Sequence, residues 1–262
     1  MQLKQENPAE NSAAMVNKIT TLFGAANLPL LADRELYTGI PYPVLAAFHA
    51  ALDKQRLEDE KKRFANRMRY AGIYKERTEA TFRWDENTYP LAEPGLIESI
   101  LTVDFIRQKK NLIIPGPPGT GKTMLSIIVA CKALRENFSV KYRTAHEIIT
   151  ELQEARVGNC LSGCIKKYKS CDLLVIDDIT YASPDKKTAQ SFFSIIDKRY
   201  SLKSTIITSN DNIKTWTKSF PDQSMCSALL SRIYEDALLM NMNGAKDMRL
   251  QRENDMFDKS ET

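Results

Sequence analysis

Long apolar runs are what this chain most plainly lacks. Nowhere in its 262 residues does one approach the roughly 18 residues that a membrane-spanning helix needs, so no membrane role is expected. Histidine is scarce: only His49 and His146 occur, and both are read as packed or surface side chains rather than catalytic ones. The start, "MQLKQENPAENSAAM", has no apolar secretion core. Five cysteines without such a signal suggest reduced thiols and a cytoplasmic setting, not a disulfide framework. A strong charge of one sign is missing too. The formal net charge is +4, which is compatible with a polyanionic partner but does not require one. Internal repeats and low-complexity tracts are absent. What is there is ordinary for a globular protein, 43% hydrophobic and 27% charged, with length for one α/β domain and a smaller appendage.

The pattern divides the chain into a polar, flexible tail (1–14) and a helical N-terminal region (15–82). A linker with a lead-in helix follows (83–110), then a core (111–250) and a C-terminal tail (251–262). In the helical region, Leu45, Phe48, Ala51 and Leu57 recur at helix-like intervals. Pro90, Pro94 and Gly95 interrupt the pattern and mark the linker. Beyond it, short apolar strands alternate with amphipathic helices. The strands are "NLIIP" (111–115), "SVKYRT" (139–144), "DLLVIDDI" (172–179), "STIITSN" (204–210) and "ALLMNMN" (237–243). Such alternation implies an α/β fold, a parallel sheet with helices on both faces.

Between the first strand and its helix stands "PGPPGTGKT" (115–123). Gly116, Gly121, Lys122 and Thr123 satisfy G-x-x-x-x-G-K-[ST], the phosphate loop of P-loop NTPases. Gly116, Pro117, Pro118, Gly119, Thr120, Gly121, Lys122, Thr123 and Met124 are therefore the expected ATP-binding segment. Glycines let successive N–H groups face the phosphates, and the following helix adds the positive end of its dipole. Lys122 would reach the β- and γ-phosphates, and the Thr123 hydroxyl would ligate Mg2+. Asp177 ends a buried strand 55 residues after Lys122, where a second Mg2+ ligand belongs. Asp178 beside it is a candidate to polarise the attacking water; a solvated strand end with helix-capping acids is the plainer alternative. Asn210, with Thr208 and Ser209, closes the next buried strand and would emerge beside the phosphates; a turn-forming cluster is its alternative.

"GPPGTGKT", "LLVIDDI", "TSN" and "LLSRI", in this order and spacing, resemble AAA+ ATPases of the initiator and helicase-loader group. Residues 45–252, above all "TYASPDKKTAQSFFSIIDKRYSLKSTIITSN" and "WTKSFPDQSMCSALLSRI", resemble the IstB-like transposition helpers, whose cousins are the loaders DnaC and DnaI. The resemblance implies a three-layer αβα core with a lid short or absent, ATP and Mg2+ as ligands, and self-association on DNA. It implies that Asn210 is a sensor and that Arg232 is an arginine finger reaching a neighbour's ATP. It also matches Arg249, in "KDMRL", to a late arginine that senses nucleotide in cis. One departure matters: most of the family carries Glu where this chain has Asp178, which points to slow hydrolysis.

Six basic residues without an acid, Lys61, Lys62, Arg63, Arg67, Arg69 and Lys75, fill "KKRFANRMRYAGIYK", with Phe64, Tyr70 and Tyr74 interleaved. They are candidate contacts to DNA, expected to be duplex, or a solvated helical face balanced by the acids at 58–60. Docking of a partner is a further use of this region. Lys166, Lys167, Lys169, Lys186 and Lys187 form a second candidate surface. Cys160, Cys164 and Cys171 are too loosely spaced for a confident zinc site. The leading reading is an ATPase that assists a transposase. A replicative helicase loader and a slowly hydrolysing switch are the alternatives, and a small-molecule kinase is disfavoured by Asp177/Asp178, Asn210 and Arg232.

Overall fold

In the computed structural model the described residues are 8–26, 28–82, 88–93, 95–181, 184–211, 216, 220–245 and 247. They divide into two compact units, 1–65 and 66–262. The boundary falls inside a helix rather than at the linker expected near residue 83.

The first unit holds α1 (Pro8–Ala25) and most of α2 (Tyr42–Ala71), joined by 3-10 turns at Pro29–Ala32 and Arg34–Tyr37. Helix α1 starts inside the segment expected to be a tail. Its small core is Ile19, Phe23, Tyr37 and Leu45, with Met15 and Leu52 packed against it.

In the second unit, two short helices, α3 (Leu96–Leu101) and α4 (Asp104–Arg107), lead into the core. Then come β1 (Asn111–Pro115), α5 (Lys122–Arg135), β2 (Val140–Thr144), α6 (Ala145–Val157), α7 (Leu161–Ser170) and β3 (Leu173–Asp177). The order continues with α8 (Lys186–Asp197), β4 (Ser204–Ser209), α9 (Gln223–Glu235) and β5 (Ala237–Leu239). Helix α7 was not expected; it follows a turn at Gly158–Cys160 and buries Tyr168. The strands form one sheet in the order β2-β3-β4-β1-β5, every neighbouring pair parallel. Strand β5 is shorter than the expected 237–243. Nonetheless Met240 N donates to Ile113 O (2.9 Å) and Met242 N to Pro115 O (2.8 Å), so pairing with β1 runs on.

Both faces are covered. Ile113, Leu174, Ile176 and Ile207 point to one side, against Ile148, Leu152, Phe192, Ile196 and Leu230 from α6, α8 and α9. The alternate residues Leu112, Ile114, Leu173, Val175 and Ile206 are equally buried, and α5 packs along β2, β3 and β4. Full burial of each such side chain is worth roughly 1.5–3 kcal/mol. Strand register fixes the site: Pro115 pairs with Ser209 and Thr144 with Asp177, so the strands' carboxyl ends share one edge.

Candidate functional site

The phosphate loop spans the gap between β1 and α5 at that edge. Gly119 (φ 80°) and Gly121 (φ 97°) adopt left-handed backbone that L side chains resist. Gly121 is also the N-cap residue just before α5. The loop is braced from both flanks. Tyr89, buried and stacked on Phe82, donates its hydroxyl to Thr120 O at 3.0 Å. On the other side, a Cβ on Gly116 would stand 2.7 Å from Met242 Cβ. Lys122 is buried, and its ammonium donates to Pro117 O at 2.7 Å, curled back into the loop.

Three side chains converge on Asp177. Its carboxylate accepts from Thr123 Oγ1 at 3.0 and 3.1 Å, from Tyr142 OH at 2.7 Å and from Thr208 Oγ1. Burial first, then the adjacent Asp177 carboxylate, pushes the Tyr142 phenol well above its ordinary range, so it stays a donor. Next along the chain, Asp178 stands in left-handed backbone (φ 58°), a strained state for a side chain that Asp tolerates better than most. This turn ends β3 at Asp177, before the expected 179, and directs the Asp178 carboxylate to Asn210. Asn210 Nδ2 lies 3.0 Å from both its oxygens, and Asp178 N donates to Thr208 Oγ1 at 2.9 Å. Burial, then Asp177, raises the Asp178 pKa. Ser209 fixes the following turn, accepting from Trp216 Nε1 at 2.6 Å and donating to Asp211 O at 2.8 Å.

The residues present suit a polyphosphate with a divalent cation. A hydroxyl and a carboxylate, both hard oxygen donors, meet at Thr123 and Asp177 beside a glycine cradle and a buried lysine. Lys122, Thr123, Asp177, Asp178 and Asn210 thus assemble at one edge. Arg232 does not join them. It lies in the last turn of α9, lines a cleft with Asn111 at the start of β1, and pairs with Asp197. That is the amino edge, opposite the phosphate loop. Arg249 lies outside the described residues. Lys61, Lys62, Arg63, Arg69 and Lys75 are exposed and Arg67 half-buried, as are Lys166, Lys169, Lys186 and Lys187 exposed and Lys167 half-buried. Cys160, Cys164 and Cys171 are free thiols.

Two side chains had no part in the expected site. Tyr142 is one; a lone tyrosine in "SVKYRT" carries no motif, and only strand register brings it to Asp177. Asp247 is the other. A Cβ on Gly119 would lie 2.2–2.3 Å from its carboxylate atoms, so a carboxylate already sits against the phosphate loop.

Fold and site together define a P-loop NTPase of AAA+ type. Two solved structures match this architecture: AMPPCP-bound DnaA from Aquifex aeolicus (23% identity, TM-score 0.55, 70% of this chain and 54% of that one) and DnaI (19%, TM-score 0.52, 63% and 90%). The family is narrower than the fold: residues 44–255 match the model of the IstB-like ATP binding proteins, and the chain belongs to that family. Among its relatives is the putative ATP-binding protein of insertion sequence IS232 from Bacillus thuringiensis subsp. berliner, 32% identical over 62% of this chain and 64% of that protein. The IS21 putative ATP-binding protein of Pseudomonas aeruginosa is 27% identical over 62% of this chain and 61% of its own length. The matched part is thus less than two thirds of either relative. No helix among the described residues is long and apolar enough to cross a membrane.

Proposed function

We propose that this chain binds ATP with Mg2+ at the carboxyl edge of its sheet, hydrolyses it, and acts as an oligomer on DNA to assist a transposase. The observation that carries the reading is the paired convergence of Asp177 on Thr123 and of Asp178 on Asn210, beside the Lys122 loop.

Loop N–H groups and Lys122 hold the phosphates, and Lys122 leaves Pro117 O to do so. Thr123 and Asp177 are the residues that would hold Mg2+, whose charge would offset that of the phosphates when bound. Tyr142 and Thr208 orient Asp177 by donating to it. Asp178 accepts the proton of the attacking water, and its raised pKa makes it a better acceptor than an ordinary aspartate. Asn210 sets the direction of that carboxylate. Arg232, at the opposite edge of its own chain, serves the nucleotide of a neighbouring copy, where a guanidinium stabilises charge on the transferred phosphoryl group. Relatives named for insertion sequences favour a transposase over a replicative helicase as the partner. A slow switch is the second reading, favoured by the short, strained Asp178.

Subunit mixing tests this reading. Arg232→Ala and Lys122→Ala proteins should each be inactive as ATPases on duplex DNA, and their mixture should recover part of the turnover. Arg232→Ala protein as active as wild type, or two inactive proteins whose mixture recovers nothing, rules out the trans assembly.

A further inference from the structure

The amino edge of the sheet carries a groove of about 440 Å3 between the last turns of α2 and the start of β2. Arg67, Tyr70, Phe138, Lys141, Lys167 and Ser170 are among its lining residues. All belong to the second compact unit. The groove stands at the opposite end of β2 from Thr144, and so from the nucleotide edge.

Its charge is one-sided. Arg67 Nη1 donates to the neutral Asn137 Oδ1 at 2.8 Å, and Lys141 Nζ to the Tyr70 carbonyl. Neither cation has a carboxylate partner among the described residues. Lys167 shares Glu151 with Arg143, at 2.6 and 3.0 Å, and Lys203 holds Asp172 at 2.6 Å. The charged side chains that line the groove, Arg67, Lys141 and Lys167, are all cations. Burial first, then Lys167 and Arg143, lowers the Lys141 pKa. Tyr70 leaves 77% of its surface exposed at the rim.

We propose that this groove binds a backbone phosphate of DNA, with Lys141 and Arg67 as its cations and Tyr70 against the adjoining sugar or base. The inference rests on the DNA-binding reading above and gives it a place. A positive groove with a rim aromatic is what a polynucleotide backbone engages, and a single exposed cation is not. The placement has a further consequence. Lys141 and Arg143 both bond the end of α2, at Tyr70 O and Ala71 O, while Tyr142 between them holds Asp177. One strand thus joins the groove to the nucleotide edge.

The test is fluorescence anisotropy of the full chain with labelled duplex and single-stranded oligonucleotides over a salt series. Lys141→Met should weaken binding several-fold irrespective of base sequence and lower the salt slope by about one. Lys141→Arg should restore both. Should Lys141→Met melt early, Arg67→Gln, which removes only a surface hydrogen bond, is expected to show the same loss of slope. Unchanged affinity and slope in Lys141→Met and Arg67→Gln overturn the groove while leaving DNA binding intact. No binding by wild type overturns the broader reading as well. If inorganic phosphate at matched ionic strength raises the wild-type Tm but not that of Lys141→Met, and DNA affinity is the same in both, the groove is a free-phosphate site and the proposal fails.

Discussion

The two edges of one sheet are built in opposite ways. At the carboxyl edge, the acids of the site are engaged: Asp177 accepts from three side chains and Asp178 is held by Asn210. In the groove at the amino edge, the charged lining residues are all cations, and Arg67 and Lys141 rest on neutral acceptors. A parallel sheet makes this division natural, because loops at its two ends come from different stretches of chain and evolve charge independently. The acidic, interlocked edge suits a cation and a polyphosphate held in one geometry. The basic, loosely tied groove at the other edge suits a long polyanion met from solution.

The largest expected effect breaks the carboxyl edge at its base. Asp178→Asn keeps the size and the Asn210 contact but cannot take a proton, so turnover should fall by about 10²–10⁴-fold with nucleotide binding retained. Rapid-quench hydrolysis and equilibrium binding on the same protein check this. On the proposed role, turnover would require ionised Asp178. Its raised pKa therefore places the acid limb of the rate profile above the ordinary aspartate range, with activity lost as pH falls through it.

A smaller loss should follow Tyr142→Phe, which removes one donor to Asp177 and leaves the ring. Loss of such an orienting partner costs roughly 10–100-fold in metal affinity, to be read from the Mg2+ dependence of ATP binding. Core damage behaves differently: Ile176→Ala, at a fully buried position, should cost about 2–5 kcal/mol of stability by denaturant unfolding. The smallest change is a gain. Asp247→Asn removes a negative charge beside Gly119 and should tighten ATP binding several-fold by titration calorimetry.

Most of the carboxyl edge is legible in the amino-acid order. Its parts sit in contiguous signatures: a strand, a glycine loop and a helix for Lys122, and apolar runs ending in polar residues for Asp177 and Asn210. Tyr142 and Asp247 are not legible, because each reaches the site through pairing or a turn that no local spacing encodes. The groove is half legible. The basic run that includes Arg67 stands out, but Lys141 lies more than 70 residues away and meets it only once α2 ends against β2. Helix α7 shows a third case: Leu161, Cys164, Ile165 and Tyr168 have helical spacing, but Gly163 within so short a segment weakens the pattern. The unit boundary falls within α2 because one continuous helix carries residues of both units, and a hydrophobic pattern does not register where contacts divide.

If β2 couples the two edges, nucleotide must change the grip on DNA, and the change must be reciprocal. The most direct measurement is the DNA affinity of Asp178→Asn protein, which holds ATP without consuming it, with and without Mg-ATP. Tighter DNA binding with nucleotide, abolished by adding Lys141→Met, is the predicted result. Equal affinity in both conditions would contradict the account.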